Sequence, residues 1–133
     1  MVDKLNFTIP GKPEYIQMVR LAIGSVAGKF DFDVEKVEDI QVAVGEACKL
    51  VSCHGFEGFC EKFEIAVEVS EEKMQITISD LCTNHCIQKQ YKQCANCPED
   101  GNMAVFVINS LMDETDIQRK EDGSKSIRMV KVK

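Results

Sequence analysis

Two kinds of hydrophobic spacing follow one another at the start of the chain. Apolar residues alternate at Leu5, Phe7 and Ile9, ahead of the strand breaker Pro10, and predict a short strand. Apolar residues then recur at three- and four-residue spacing, which predicts a helix that ends near the sequence GKFDFD. The apolar stripe of this helix is Tyr15, Val19, Ala22, Ile23, Val26, Ala27 and Phe30.

A second helix is predicted to begin directly after Asp33. The side chain of Asp33 can accept a hydrogen bond from a free backbone N–H of the first turn. Glu35 and Glu38 lie in the early turns, where the positive end of the helix dipole favours carboxylates. The predicted buried positions of this helix are Val34, Val37, Ile40, Val44, Ala47 and Val51.

The second half of the chain begins with a change to a two-residue period. Residues 63–69 and 74–78 alternate between apolar and polar, and the sequence SEEK between them predicts the turn of an antiparallel hairpin. Residues 81–100 show neither period, so they predict a long ordered loop. The remaining predicted elements are a helix at about 103–112 and strands at about 115–120 and 125–132, joined by the turn EDGS.

The order of these elements defines the expected fold class. Helices and strands of this kind pack as a two-layer α/β sandwich, a mixed and mostly antiparallel sheet covered on one face by three helices. The chain of 133 residues has the size of one compact domain, so we expect residues 1–133 to form a single unit around one core.

Composition and charge narrow the possible partners and the compartment. A net charge of −6 without a cluster of Lys and Arg argues against binding to nucleic acid. The longest apolar run, MAVFVI, is far too short to span a membrane, and the first residues do not resemble a leader, so we expect a cytoplasmic protein. Thiols stay reduced in that compartment, and seven cysteines, an odd number, argue against a disulfide scaffold.

Five stretches of the sequence together resemble one protein family. They are FTIPGKPEYIQMVR, EKVEDIQVAVGEAC, ITISD, FVINSLMDE and GSKSIRMVKV, and they extend over nearly the whole chain. In order and spacing they resemble the anti-sigma-factor serine kinases of the GHKL ATPase superfamily, which hold bacterial sigma factors inactive. The resemblance implies the histidine-kinase-like ATPase fold, a homodimer, and a sigma factor or its antagonist as the protein partner.

In the family, ATP lies between the second and third helices and is held by three short sequence boxes. The first places a Glu, the general base, one helical turn before an Asn that ligates Mg²⁺; here it reads EACKL, so Glu46 matches the base and Leu50 replaces the Asn. The second is Asp-any-Gly; here it reads DLC, so Asp80 matches the acceptor of a hydrogen bond from adenine, and Cys82 replaces the glycine.

The third box is a Gly-any-Gly stretch that lets backbone N–H groups approach the phosphates. Asn102, Met103 and Ala104 align with it. Where positive φ is required, a non-glycine residue costs on the order of 1 to 2 kcal/mol. With departures in all three boxes, we expect ATP and Mg²⁺ not to be held in the family's way and phosphoryl transfer to be lost. Glu46 is then a vestigial base or a solvated carboxylate, and Asp80 part of a vestigial nucleotide pocket or a turn residue.

The cysteine-rich segment CTNHCIQKQYKQCANC, within residues 81–101, falls where the family has its ATP lid. Cys82 and Cys86 are four residues apart, and Cys94 and Cys97 three apart, so the four thiolates could hold Zn²⁺ or an iron–sulfur cluster. A redox sensor and ordinary reduced thiols are the alternatives. Further potential ligands are Cys53, His54, Cys60 and His85.

Three functions remain open from the sequence. The first, which we prefer, is a regulator of the anti-sigma type that binds a protein partner without phosphorylating it, with Arg20 matching a family residue that contacts the partner. The second is an active serine kinase with Glu46 as base. The third is a metal- or redox-responsive switch that uses the cysteine segment.

Overall fold

The computed structural model describes residues 2–51, 62–80, 103–119 and 125–133. Eight elements lie in these ranges, and they follow the predicted order of strands and helices. Their bounds are β1 Asp3–Pro10, α1 Pro13–Lys29, α2 Val34–Val51, β2 Lys62–Val69, β3 Lys73–Asp80, α3 Met103–Leu111, β4 Glu114–Arg119 and β5 Lys125–Val132. The predicted EDGS turn and the whole cysteine-rich segment, residues 81–101, lie outside the described residues.

The five strands form one sheet in the order β1-β2-β3-β5-β4. Each strand pairing in the described residues is antiparallel, including those of β5 with β3 on one side and with β4 on the other. The helices pack on one face of this sheet, with α2 in contact with α1, α3, β3 and β5. The predicted two-layer α/β sandwich is therefore confirmed, with a sheet that is antiparallel where it is described.

The helix-facing side of the sheet is built from side chains in phase across the strands. One row across the middle consists of Ile65, Ile78, Ile127 and Ile117, which are register neighbours from β2 to β4. The first three are fully buried, and Ile117 is partly covered. This pattern follows from the two-residue period of a strand, which sends alternate side chains to the same face.

The sequence correctly located both ends of the connection between the first two helices. Asp31 adopts a positive φ of 64° in the turn after α1. Two residues later, the Asp33 carboxylate accepts a hydrogen bond from the backbone N–H of Lys36 at 2.9 Å, as expected for an N-cap. This cap satisfies a donor that has no partner within the helix.

Three predicted core residues of the helices are exposed instead. Val34 is 75% exposed, and Tyr15 and Ala22 also lie at the surface. Val34 occupies the first position of α2. This end of the helix extends beyond the residues that pack against the rest of it. The α1 stripe is narrower than predicted, because Val19, Ile23 and Ala27 carry the buried contacts of that helix.

Candidate functional site

Glu46 and Leu50 lie one helical turn apart on α2 but in different surroundings. The Glu46 carboxylate is 28% exposed and forms an ion pair with Lys49 at 3.7 Å. Leu50 is fully buried and belongs to the hydrophobic core. Within one turn, α2 therefore carries an accessible carboxylate at Glu46 and an aliphatic core side chain at Leu50.

Asp80 ends β3 on the helix-facing side of the sheet, beyond the row of isoleucines. It is only 8% exposed. Ser79 pairs with Ser126 of β5, so the next position on each strand places Asp80 beside Lys125. The buried inner face of the sheet thus ends in an acidic and a basic residue on neighbouring strands.

Lys125 is a buried residue that our reading of the sequence did not single out. It is 4% exposed, and among the described residues its ammonium Nζ has no hydrogen-bond partner. The signal was available: Lys125, Ile127, Met129 and Lys131 alternate in β5 and face the same side. A lysine in phase with core residues is a candidate for a buried charge.

Lys131, at the other end of β5, has the partners that Lys125 lacks. Its ammonium lies 3.4 Å from the Asp39 carboxylate of α2 and donates a hydrogen bond to the backbone carbonyl of Leu111, the last residue of α3. The backbone N–H of Val132 also donates to the Asp113 carboxylate at 2.6 Å, just after α3. These contacts hold α2 and α3, the two helices that border the family's nucleotide site, to one strand.

Arg20, the predicted partner-binding residue, lies on α1 at its contact with α2. Its aliphatic stem packs near Gly45, where an added Cβ would lie 3.3 Å from the Arg20 Cδ. One guanidinium nitrogen donates to the Gln17 side chain at 3.3 Å, and Nε is buried with no hydrogen-bond partner in the described part of the chain. The guanidinium is therefore half-buried between two helices rather than fully solvated.

The contact of α1 with α2 also depends on a glycine at its closest approach. The Gln41 side chain of α2 donates a hydrogen bond to the Arg20 carbonyl at 3.1 Å. A Cβ on Gly24 would lie 2.8 Å from the Gln41 Cδ, closer than real contacts allow. Gly24 thus leaves the space in which Gln41 joins the two helices.

The four predicted cysteine ligands, Cys82, Cys86, Cys94 and Cys97, lie outside the described residues. Within the ranges that are described, no group of three or more metal-ligating side chains occurs. Cys48 of α2 is fully buried in the hydrophobic core, and burial raises the pKa of its thiol to about 12. Its thiol is therefore protonated, and hence a poor nucleophile, at neutral pH.

A groove lies at the end of the sheet away from Asp80. It has a volume of about 910 Å³ and lies between the end of α1, the start of β1 and the turn before β3. Its charged lining residues are Asp3, Lys4, Lys29, Asp31, Glu71, Glu72 and Lys133. This mixture of charges is distant from Glu46 and favours no ligand class.

Comparison with known proteins decides the family. The family model of the histidine kinase-like ATPase domain matches residues 9–131. A serine-protein kinase RsbW of Listeria monocytogenes is 32% identical over 98% of this chain and 88% of its own length. The chain belongs to the anti-sigma-factor serine kinase family. A second family member, the RsbW of Bacillus licheniformis, is 28% identical over 87% of this chain and 78% of its own length.

Two solved structures support the family's fold at low sequence identity. The crystal structure of the RsbU and RsbW domains of Rv1364c from Mycobacterium tuberculosis matches 98% of this chain with a TM-score of 0.70 and 14% identity; the match spans 32% of that longer chain. The SiaB–SiaC complex from Pseudomonas aeruginosa matches 95% of this chain and 88% of the other, with a TM-score of 0.64 and 13% identity. Within the described ranges, no helix has the length and apolarity needed to cross a membrane.

Proposed function

We propose that this chain is a regulator of the anti-sigma type that acts by binding a protein partner and does not transfer phosphate. The partner class is a sigma factor or its antagonist. This proposal extends to the chain what the family does as a whole, and it departs from the family only at the chemical step.

The burial of Leu50 is the single observation that carries the loss of phosphoryl transfer. Mg²⁺ requires oxygen ligands at about 2.0 to 2.1 Å, and a leucine side chain has none. Because Leu50 is fully buried in the core, the helix surface at this position is also closed to a water molecule that could replace the missing ligand. Phosphoryl transfer depends mainly on positioning and on the charge of the metal, so loss of the metal removes most of the catalytic effect.

The start of α3 supports the same proposal. Met103 and Ala104, aligned with the third box, form the first turn of a regular helix. Ala104 replaces the second glycine of that box, and its side chain occupies space that the family leaves to backbone N–H groups near the phosphates. Cys82 and Asn102, the other replaced residues, lie outside the described residues.

The surface of α1 around Arg20 is the proposed contact for the partner. Its guanidinium keeps one nitrogen bonded to the neighbouring Gln17, and no acidic residue forms an ion pair with it among the described residues. A half-buried guanidinium with a fixed stem loses little entropy when it binds a carboxylate, which favours its use at an interface.

Partner capture followed by reconstitution tests the proposal. The tagged protein is used to isolate partners from its native cytoplasm, and the sigma factor or antagonist identified by mass spectrometry is purified and titrated directly. Arg20→Ala should weaken that binding by about tenfold or more, whereas Lys29→Ala, an exposed residue of the same helix, should not. Identical affinities for both variants and the wild type would remove Arg20 from the interface, and failure to bind any sigma factor or antagonist would end the proposal.

An active kinase is the second candidate, because Glu46 is retained and is accessible. The relatives named above are serine-protein kinases. Transfer of labelled phosphate to the captured partner, abolished by Glu46→Gln, would establish the kinase in place of our proposal. We expect no phosphate transfer with either the wild type or Glu46→Gln.

We also retain three proposals that follow from the sequence. The cysteine-rich segment is a candidate metal or redox switch, and less than about a tenth of an equivalent of Zn or Fe in anaerobically purified protein would remove the metal form of that idea. A homodimer is proposed by analogy with the family, and sedimentation velocity tests it. A cytoplasmic location is proposed from the similarity to the RsbW proteins, and cell fractionation tests it.

A further inference from the structure

The buried Lys125 ammonium has no hydrogen-bond acceptor among the described residues. Lysine is almost never fully buried unless its charge is paired. Lys131 obeys this rule on the same face of the same strand, with a carboxylate and a carbonyl as partners. Lys125 is buried to a similar degree, but its Nζ has no acceptor among the described residues.

The position of Lys125 places this charge at the end of the core rather than inside it. Lys125 begins β5. Its register partner on β4 is Arg119, and on the other side the pairing of Ser79 with Ser126 places Asp80, the last residue of β3, beside it. The next row inward consists of isoleucines, which offer no polar atom. A polar group that meets the ammonium must therefore approach from beyond the ends of β3 and β5.

We propose that Lys125 binds an oxyanion of a small-molecule ligand, a phosphate ester or a carboxylate, without the help of a divalent cation. The ammonium supplies the positive charge directly, so the ligand needs no metal and the missing oxygen at Leu50 does not prevent its binding. The neighbouring Asp80 carboxylate limits the ligand to groups of low charge or to groups that also carry a hydrogen-bond donor for it. The site is one of recognition and does not perform chemistry. It does not depend on the proposed partner binding.

Thermal unfolding of the full chain in EDTA tests this inference. Inorganic phosphate, ADP and malonate are added separately at constant ionic strength, so that phosphate and carboxylate sources are distinguished. In the wild type at least one of them should raise the melting temperature saturably, by roughly 5 °C at ten times its dissociation constant. Mg²⁺ should add nothing to this rise.

Lys125→Met and Lys131→Met are the matched variants, two buried lysines on one face of one strand. Lys125→Met should lose the response to anions, because the positive charge that binds them is removed. Lys131→Met should be less stable but should keep the response.

Three results would overturn the inference. They are no response of the wild type to any of the three anions, an equal response in Lys125→Met, and a response that requires Mg²⁺. Partner capture is unaffected by any of these results, so the two proposals fail independently.

Discussion

Replacing Leu50 by asparagine introduces the residue type that ligates Mg²⁺ in the family, and it tests whether position 50 belongs to the core. Leu50 is fully buried on α2, in the same cluster as Ile78 and Ile127. The substitution removes an aliphatic side chain from that cluster and puts an amide in its place. We expect a large loss of stability and no gain of magnesium binding.

The expected magnitude follows from two costs that add. Burying a leucine side chain contributes about 1.5 to 3 kcal/mol, which the variant loses. A buried amide without hydrogen-bond partners costs a further 1 to 3 kcal/mol or so. The total of roughly 2.5 to 6 kcal/mol is a large part of the 5 to 15 kcal/mol or so that stabilises a typical domain.

Urea denaturation followed by circular dichroism measures this loss. Val42→Asn is the matched control, because Val42 lies on the same helix but is 41% exposed. We expect it to cost less than about 1 kcal/mol. The denaturation of Leu50→Asn is repeated with Mg-ATP, which should leave the midpoint unchanged.

Two outcomes would refute this reasoning. A loss below about 1 kcal/mol in Leu50→Asn would mean that position 50 faces an open cleft. A midpoint that rises with Mg-ATP but not with ATP in EDTA would mean that the asparagine has rebuilt a metal site. In either case the argument for lost phosphoryl transfer would no longer stand.

Three further predictions concern the packing around the site. Lys131→Met should lower the free energy of unfolding by about 2 to 3 kcal/mol in urea denaturation, because the contacts of the ammonium with a carboxylate and a carbonyl are lost. Asp39→Asn should cost about 1 kcal/mol, because the Asp39 side chain is 30% exposed and the amide still offers an oxygen. Equal costs for the two variants would contradict this. Gly28→Ala should stabilise the protein by about 0.5 to 1 kcal/mol, since an added Cβ meets nothing within 4 Å, and Gly24→Ala should destabilise it by displacing the glutamine side chain of α2; the same sign for both would refute the close contact. Cys48 should resist thiol reagents in the native state at pH 8, and its contribution to stability should fall as pH rises from 9.0 toward 12, because the thiol of the unfolded chain ionises first; rapid labelling at pH 8 would contradict its burial.

Much of the fold could be predicted because the hydrophobic periods are long and their ends are marked. The α2 helix has a clear cap at Asp33, and the β2–β3 hairpin has a clean two-residue period on both strands. The failures at Val34 and Tyr15 have a common cause. Periodicity gives the direction in which a side chain points, but it does not say how far the neighbouring layer extends over the helix.

The candidate site was less predictable because it depends on strand order. The proximity of Asp80 and Lys125 requires β5 to pair with β3, although β4 precedes β5 along the chain. Local sequence does not determine this arrangement. Lys131 was missed for another reason. A charged residue in a strand is usually assigned to the surface, even when it is in phase with apolar residues. Lys131 is buried nevertheless, because it forms an ion pair with Asp39.

Isothermal titration calorimetry of the wild type with Mg-ATP, and with ATP in EDTA, tests the central claim most directly. The account predicts no binding that depends on the metal: the two isotherms should be the same, whether both are flat or both report metal-free binding through Lys125. Micromolar binding that appears only with Mg²⁺ would contradict the account, because it would show that an oxygen donor replaces the one that Leu50 lacks.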